Sequence, residues 1–333
     1  MISDKQRVLV IGSNSFSGSD FIDLLLEEGK YSVVGISRSP EKKALFLPYI
    51  RHIQVDFKFY QMDLNNDMVK IANLIDSFKP DYVVNFAAQS EVAPSWENPE
   101  QWFQTNAVAI TGLANVLNKC KTLKRYVHIS SPEVYGTCVG IVKEDAPLNP
   151  STPYAASKAA GDLSLFTFVK NYNFPLVIIR STNVYGAHQQ LFKIIPRSVI
   201  CVKLGKIIEL HGGGKAVKSY IHVRDISRGE LSAMEKGKIG NIYHLSPDRG
   251  AAVKDIVRVI CEHMGTPFEK ATKTVEERLG QDAAYVIDST KSRSEFGWKT
   301  SVSIDEGLSE VVKWIENNWE QIKEEPLEYI HKL

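Results

Sequence analysis

Over its first 180 or so residues the chain repeats one rhythm: a short apolar, often β-branched run, then a longer stretch with apolar residues at helical spacing. The short runs are RVLVI (7–11), YSVVGI (31–36), FKFYQM (57–62), DYVVNF (81–86), RYVHIS (125–130) and PLVIIR (175–180). Between them lie SDFIDLLLEEG (19–29), DMVKIANLIDSF (67–78), NAVAITGLANVLNKC (106–120) and ASKAAGDLSLFTFVKNY (156–172). Strands covered by helices on both faces read as unbroken apolar runs, whereas strands with one wet face alternate. The rhythm therefore predicts an α/β fold built on a Rossmann-like, doubly wound parallel sheet. After about residue 187 it loosens. Residues 205–223 suggest short strands around a glycine turn, and 253–265 and 303–319 read as helices. These pieces are too scattered to form a core of their own. The expected organisation is a larger lobe, 1–186, and a smaller C-terminal α/β lobe, 187–333, with some chain crossing back to the sheet.

Composition narrows the partners. Of 333 residues, 44% are hydrophobic and 24% charged, ample for a buried core. Forty basic residues against thirty-nine acidic ones leave +1, no overall field for nucleic acid or an anionic membrane. No apolar run approaches the roughly 18 residues of a bilayer span. The N-terminal MISDKQRVLVIG lacks a signal-peptide core, so the expectation is a cytoplasmic protein. Cys120, Cys138, Cys201 and Cys261 show no CxxC spacing and the eight histidines no HxxxH pairing, so neither a disulfide framework nor a metal site is expected.

Directly after the first strand comes GSNSFSG (12–18), opening a helix expected to start near Ser19 or Asp20. Glycines there let the backbone turn sharply and approach a pyrophosphate, whose charge the helix N-terminus meets. Gly12, Ser15, Phe16 and Gly18 are thus candidates for a dinucleotide, and 1–186 for a dinucleotide-binding lobe. The second strand ends in Gly35-Ile36-Ser37-Arg38, with no carboxylate for a ribose 2′-hydroxyl. Arg38 suits a 2′-phosphate, which favours NADP, with NAD as the alternative. Asp63 and Leu64 after the third strand, and Ala87 and Ala88 after the fourth, are placed to flank the adenine and nicotinamide halves.

Tyr154 and Lys158 stand four apart, on one face of a helix beginning near Pro153. An ammonium beside a phenol favours the phenolate, a base able to take a hydroxyl proton as hydride leaves the same carbon. Ser130-Ser131, at the end of the preceding strand, supplies the hydroxyl of a Ser-Tyr-Lys arrangement.

Taken together, VLVIGSNSFSGS (8–19), NFAAQSEVAPSWENPEQWFQTN (85–106), ISSPEVYG (129–136), NPSTPYAASKAAGD (149–162), RSTNVYGAHQQLFKIIP (180–196), HGGGKAVKSYIHVRD (211–225), RLGQDAAYVID (278–288) and FGW (296–298) resemble the extended short-chain dehydrogenase/reductases that act on nucleotide sugars. Within that family they most resemble the dTDP-glucose 4,6-dehydratase type. The resemblance implies a substrate lobe in 187–333, a nucleotide-diphosphate-sugar substrate and a homodimer paired through the helices near 100–119 and 154–172. It also implies that Asn183 and Lys193 hold the diphosphate, that Arg278 reaches the phosphates or nucleoside, and that Gln89 and Ser90 face the sugar. Lys218 stands where such enzymes usually carry arginine.

By the same resemblance, Tyr154 is the base for the C4 hydroxyl, Lys158 tunes it, Ser131 holds the hydroxyl, and Glu133 takes the C5 proton before the C6 hydroxyl leaves as water. Epimerases of this family need no base at that place, so Glu133 argues for elimination. The departure is Pro132, where the dTDP-glucose enzymes carry the aspartate that protonates the leaving oxygen. Glu133 is then expected to pass on the proton itself, with Glu91 as second candidate. A nucleotide-sugar 4-epimerase and a non-catalytic NADP-binding relative are the rival readings.

Overall fold

The computed structural model describes residues 5–52, 57–137, 140–276 and 286–331. The six apolar runs become strands β1 (Gln6–Ile11), β2 (Tyr31–Ser37), β3 (Phe57–Gln61), β4 (Tyr82–Asn85), β5 (Arg125–Ile129) and β6 (Leu176–Ser181). A seventh, β7 (Asn241–Leu245), comes from the later part of the chain and pairs with β6, so the expected crossing back is a strand of the main sheet. All pairings are parallel, in the order β3-β2-β1-β4-β5-β6-β7. The order reverses between β1 and β4, and ligands of such sheets bind beyond the strand ends at that switch point.

The unbroken runs have the reason assigned to them. In β1, Val8 and Val10 join one core with Phe21 and Leu25, while Leu9 and Ile11 join another with Ile71 and Leu113. A period of two puts alternate residues on opposite faces, and here both faces are dry. The first face is covered by α1 (Phe16–Glu28), the second by α2 (Met68–Phe78) and two longer helices. Of these, α3 begins as Pro99–Phe103, widens to a π-helix at Gln104–Ala109 and continues as Ile110–Leu117. The other, α4, is Pro153–Tyr172. Helix α1 starts earlier than its apolar pattern suggests because the Ser15 hydroxyl accepts from the Gly18 amide at 3.0 Å and caps it there.

Beyond β6 come α5 (Ile194–Lys203), α6 (Val223–Lys236), α7 (Val253–His263), α8 (Thr290–Phe296) and α9 (Ile304–Asn317). Helix α6 joins α1 on the first sheet face. Ile195, Val199, Ile256, Ile260, Leu308 and Ile315 of α5, α7 and α9 form a third core. The chain then runs on as a C-terminal strap. Glu325 pairs with Lys43, and Glu328 accepts two bonds from Arg197 at 3.0 and 2.9 Å. Tyr329 meets the Phe192 ring edge-on at 5.3 Å. His331 stacks on Trp102 at 5.4 Å and bonds Gln101 at 2.9 Å. No helix among the described residues is long and apolar enough to cross a membrane.

Candidate active site

The loop after β1 is a cradle that side chains would fill. Gly12 has φ +81°, and a Cβ on it would lie 2.6 Å from the Ala87 amide nitrogen; one on Gly18 would lie 2.5 Å from the Gly12 carbonyl. The loop leads into the N-terminus of α1, whose first turn carries no acidic residue, so its positive end is free to meet an anion. Phe16 is buried beneath it. These features fit the pyrophosphate of a dinucleotide. Ser37, where a ribose-binding carboxylate would stand, is spent on the loop: its Oγ accepts from the Asn14 amide at 2.9 Å and lies 3.3 Å from Ser13 Oγ. Arg38 follows it, half-exposed at the rim.

The neighbouring loops differ in how they are held. Asp63 turns back on its own loop, accepting from Asn65 N and Asn66 Nδ2 at 2.9 Å each. Leu64 packs in the core with Ile71, and Ala87 lies against the same cluster. Ala88 is half-buried, Gln89 buried and Ser90 exposed. Asn106, in the π-helical turn of α3, fixes this stretch: it accepts from the Gln89 amide and donates to the Gln89 carbonyl and to Ser157 Oγ, all at 2.9 Å. Sequence reading passed over Asn106 because a polar residue inside an apolar helix gives no sign of its partner. A π-turn at a site-forming loop is where such widenings commonly occur.

Ser131, Pro132 and Glu133 form a short capped turn. Pro132 is the first residue of a 3₁₀ helix, Pro132–Tyr135, where its missing N–H costs nothing. Ser131 is the cap, its Oγ accepting from the Glu133 amide at 3.2 Å. Gly136, at φ +67°, ends the turn against the Asn149 carbonyl, where a Cβ would come within 2.1 Å. The turn brings three groups together: the Ser131 hydroxyl bonds the Tyr154 phenol, and the Glu133 carboxylate acts on that phenol through its charge. Helix α4 holds Tyr154 in its first turn, with Thr152 capping at 3.1 Å and Pro153 first in the helix.

Sequence reasoning expects a phenol lowered by Lys158; the structure has it raised. Burial is the main cause, Glu133 adds to it, and the Ser131 bond works against it. Lys158 is buried and donates to the Ile129 carbonyl at 2.8 Å. Desolvation pulls its ammonium down to about 8, with Asp162 opposing the drop and Arg180 adding to it.

Those last two residues belong to a buried network that the motifs did not signal. Asp162, one turn beyond Lys158, accepts from Ser130 Oγ and Arg180 Nη2 at 2.7 Å each. The Arg180 guanidinium lies 4.6 Å over the Tyr135 ring, and Tyr135 bonds His244 at 2.8 Å. The network thus ties β5, the Ser131 turn, α4 and β6 to one another. Neutral histidines suit it: burial holds His128 well below its usual range and His244 down to about 3.

Asn183 bonds the Ser219 carbonyl through its backbone at 3.0 Å. Lys193 caps α5, whose N-terminus has no side-chain cap and no acidic residue in its first turn. It reaches across to Glu91, 2.6 Å away. Lys218 is half-buried in the short strand Val217–Lys218, paired with Ala251–Ala252. Arg278 lies outside the described residues. Away from these groups, Asp23, Glu27 and His52 come within 4.8 Å of one another, a spacing a cation could use. Arg51 and Arg224 already pair with both carboxylates.

Known proteins resemble this chain over most of its length. A dTDP-glucose 4,6-dehydratase of Xanthomonas campestris is 30% identical, over 93% of each chain. In structure, the dTDP-glucose 4,6-dehydratase DesIV of Streptomyces venezuelae, solved with NAD bound, matches with a TM-score of 0.87 and 28% identity, covering 95% of this chain and 98% of its own. UDP-glucose 4-epimerase of Thermotoga maritima matches with 0.86 and 25%, covering 94% and 100%. The model of the GDP-mannose 4,6 dehydratase family matches residues 9–311. With that match running from β1 into α9, the chain belongs to the GDP-mannose 4,6 dehydratase family, among the extended short-chain dehydrogenase/reductases.

Proposed function

We propose that this protein is a nucleotide-sugar 4,6-dehydratase working with a bound nicotinamide dinucleotide. The observation that carries the reading is Glu133, a carboxylate acting on the Tyr154 phenol from the Ser131 turn. The Gly12–Gly18 loop and α1 N-terminus would hold the pyrophosphate, Ala87 and Ala88 the nicotinamide side, and Lys158 the ribose near it. When bound, the dinucleotide supplies a hydride acceptor for C4 and a donor for C6.

The chain's own groups move the protons. Tyr154 takes the C4-hydroxyl proton while Ser131 holds the oxygen and Lys158 stabilises the phenolate. The C4 ketone acidifies the C5 proton, which Glu133 removes. The C5–H electron pair forms the C5=C6 bond, and the C6–O pair leaves on oxygen. Pro132 has no proton to give, so Glu133 hands its own to that oxygen and water departs. Glu133 then recovers a proton from the Tyr154 phenol through the Ser131 hydroxyl and returns it to C5. Each residue ends as it began. Asn183, Lys193, Lys218 and Arg278 would meet the nucleotide diphosphate, and Gln89 and Ser90 the sugar.

The test is mass spectrometry of candidate UDP-, dTDP- and GDP-sugars incubated with the protein. The expected result is a product lighter by one water, abolished in Glu133→Gln, which would still reduce the bound dinucleotide. Unimpaired water loss in that variant would remove Glu133 from the role. The second reading, a 4-epimerase, is favoured by the structural likeness to the Thermotoga maritima enzyme; its product keeps the substrate's mass.

NAD is the dinucleotide supported by the similar dehydratase DesIV. Arg38, with no carboxylate at Ser37, supports NADP as the second reading. Binding of both to the protein and to Arg38→Ala separates them: under the NAD reading the variant loses little affinity, and under the other it loses tenfold or more for NADP alone. Exposed apolar side chains on α3 and α4, Val108 at 56% and Leu163 at 58%, support a homodimer through these helices.

A further inference from the structure

Glu91, in the loop after β4, and Lys193, at the start of α5, lie 102 residues apart in sequence and are joined by a bond of 2.6 Å. Their side chains remain 21% and 36% exposed. An ion pair this open adds little to stability, because water screens it and two long side chains are immobilised to make it. Its place is more informative than its strength.

Each partner is positioned independently of the other. Lys193 caps α5 between buried Leu191 and Ile195, and its ammonium lies 5.2 Å from the centre of the Phe192 ring, which Tyr329 of the strap covers. Glu91 stands two residues after Gln89, whose backbone Asn106 clamps on both sides. The Glu91 charge reaches both the Tyr154 phenol and the Tyr329 phenol. It therefore lies near both the catalytic turn and the strap.

We propose that Glu91 is a built-in substitute for the substrate's diphosphate, a carboxylate that occupies Lys193 until a nucleotide displaces it. The inference rests on the diphosphate role proposed for Lys193. A diphosphate offers more charge and more acceptor oxygens than one carboxylate, so it takes the lysine. Glu91 cannot go far, because its loop is clamped, and it remains as a like charge near the phosphates. Substrate and product are both held less tightly in consequence, and product leaves sooner. Glu91 is thus a positioning residue for Lys193 and not the missing acid beside Pro132.

Calorimetric titration with UDP, dTDP and GDP tests this on the full chain and on Glu91→Gln, Lys193→Met and the double variant. For whichever nucleotide binds, Glu91→Gln is expected to tighten binding about tenfold, Lys193→Met to weaken it at least tenfold, and Glu91→Gln to gain clearly less once Lys193 is gone, because only the repulsion is then relieved. A gain in affinity is a result that structural damage does not produce. Unchanged or weaker binding in Glu91→Gln, or an equal gain without Lys193, overturns the proposal while leaving Lys193 at the phosphates. Undiminished binding in Lys193→Met overturns both.

Discussion

At the scale of single residues the site turns on how burial sets charge. Lys158 is nearly inaccessible, and desolvation brings its ammonium down to about 8, so it is charged below that pH and neutral above it. The hydride step needs the charged form beside the phenolate. Because the raised phenol and the lowered ammonium share a single proton above about pH 8, the rate, followed in a single turnover by the absorbance of the reduced dinucleotide between about pH 6 and 10, is expected to rise through about 8 and then level off. A rate still climbing at the top of that range would remove the ammonium from the step. Tyr154 and Lys158 stood out in the sequence by their spacing, and Ser131 and Glu133 by resemblance; the structure brings Ser131 and Glu133 to the Tyr154 phenol. Asp162 and Arg180 did not stand out, since an aspartate on a helix and an arginine in a strand carry no mark of a shared partner. The meaning of Pro132 was only half legible: the sequence showed an absent acid, and the structure shows a helix start that aims the next residue.

At the scale of elements, the pairing of α1 with α6 contains an expensive choice. Glu230 on α6 is fully buried, neither carboxylate oxygen has a hydrogen-bond partner among the described residues, and desolvation with Asp20 nearby holds its carboxyl well above the usual range. A raised acid binds its proton in the folded state and releases it in the unfolded one. Stability from this group is therefore full below its unfolded value and declines as pH rises through the window above it. Replacing it should help at neutral pH: Glu230→Gln is expected to gain about 1 kcal/mol, with the gain fading toward pH 4.5. Thermal melts at the two pH values check this, and an equal effect at both would refute the cause given. The helices α5 and α6 were not foreseen, because 187–240 mixes glycines, short strands and helices too closely for one period to stand out. Five of the first six strands were plain, since burial on both faces demands unbroken apolar runs; β3, at the sheet edge, alternates between half-buried and exposed residues.

At the scale of the whole molecule, the proposed dimer is the open quantity. A chain of 37.4 kDa should sediment at twice that mass, and Leu163→Arg, on the outer side of α4, should return it to the single chain. A wild-type protein sedimenting as one chain would end the helix-pairing proposal. The change of rhythm marks where the repeat of the main sheet gives way to the core of α5, α7 and α9, but the C-terminal strap was invisible, because EPLEYIH has no periodicity and its contacts lie more than a hundred residues away. Its fastenings reach Lys43 and Trp102 in the first half of the chain and Arg197 on α5. Wide opening therefore demands that a fastening let go, and how long a ligand stays becomes a matter of how fast a short segment peels, rather than how far a hinge can swing.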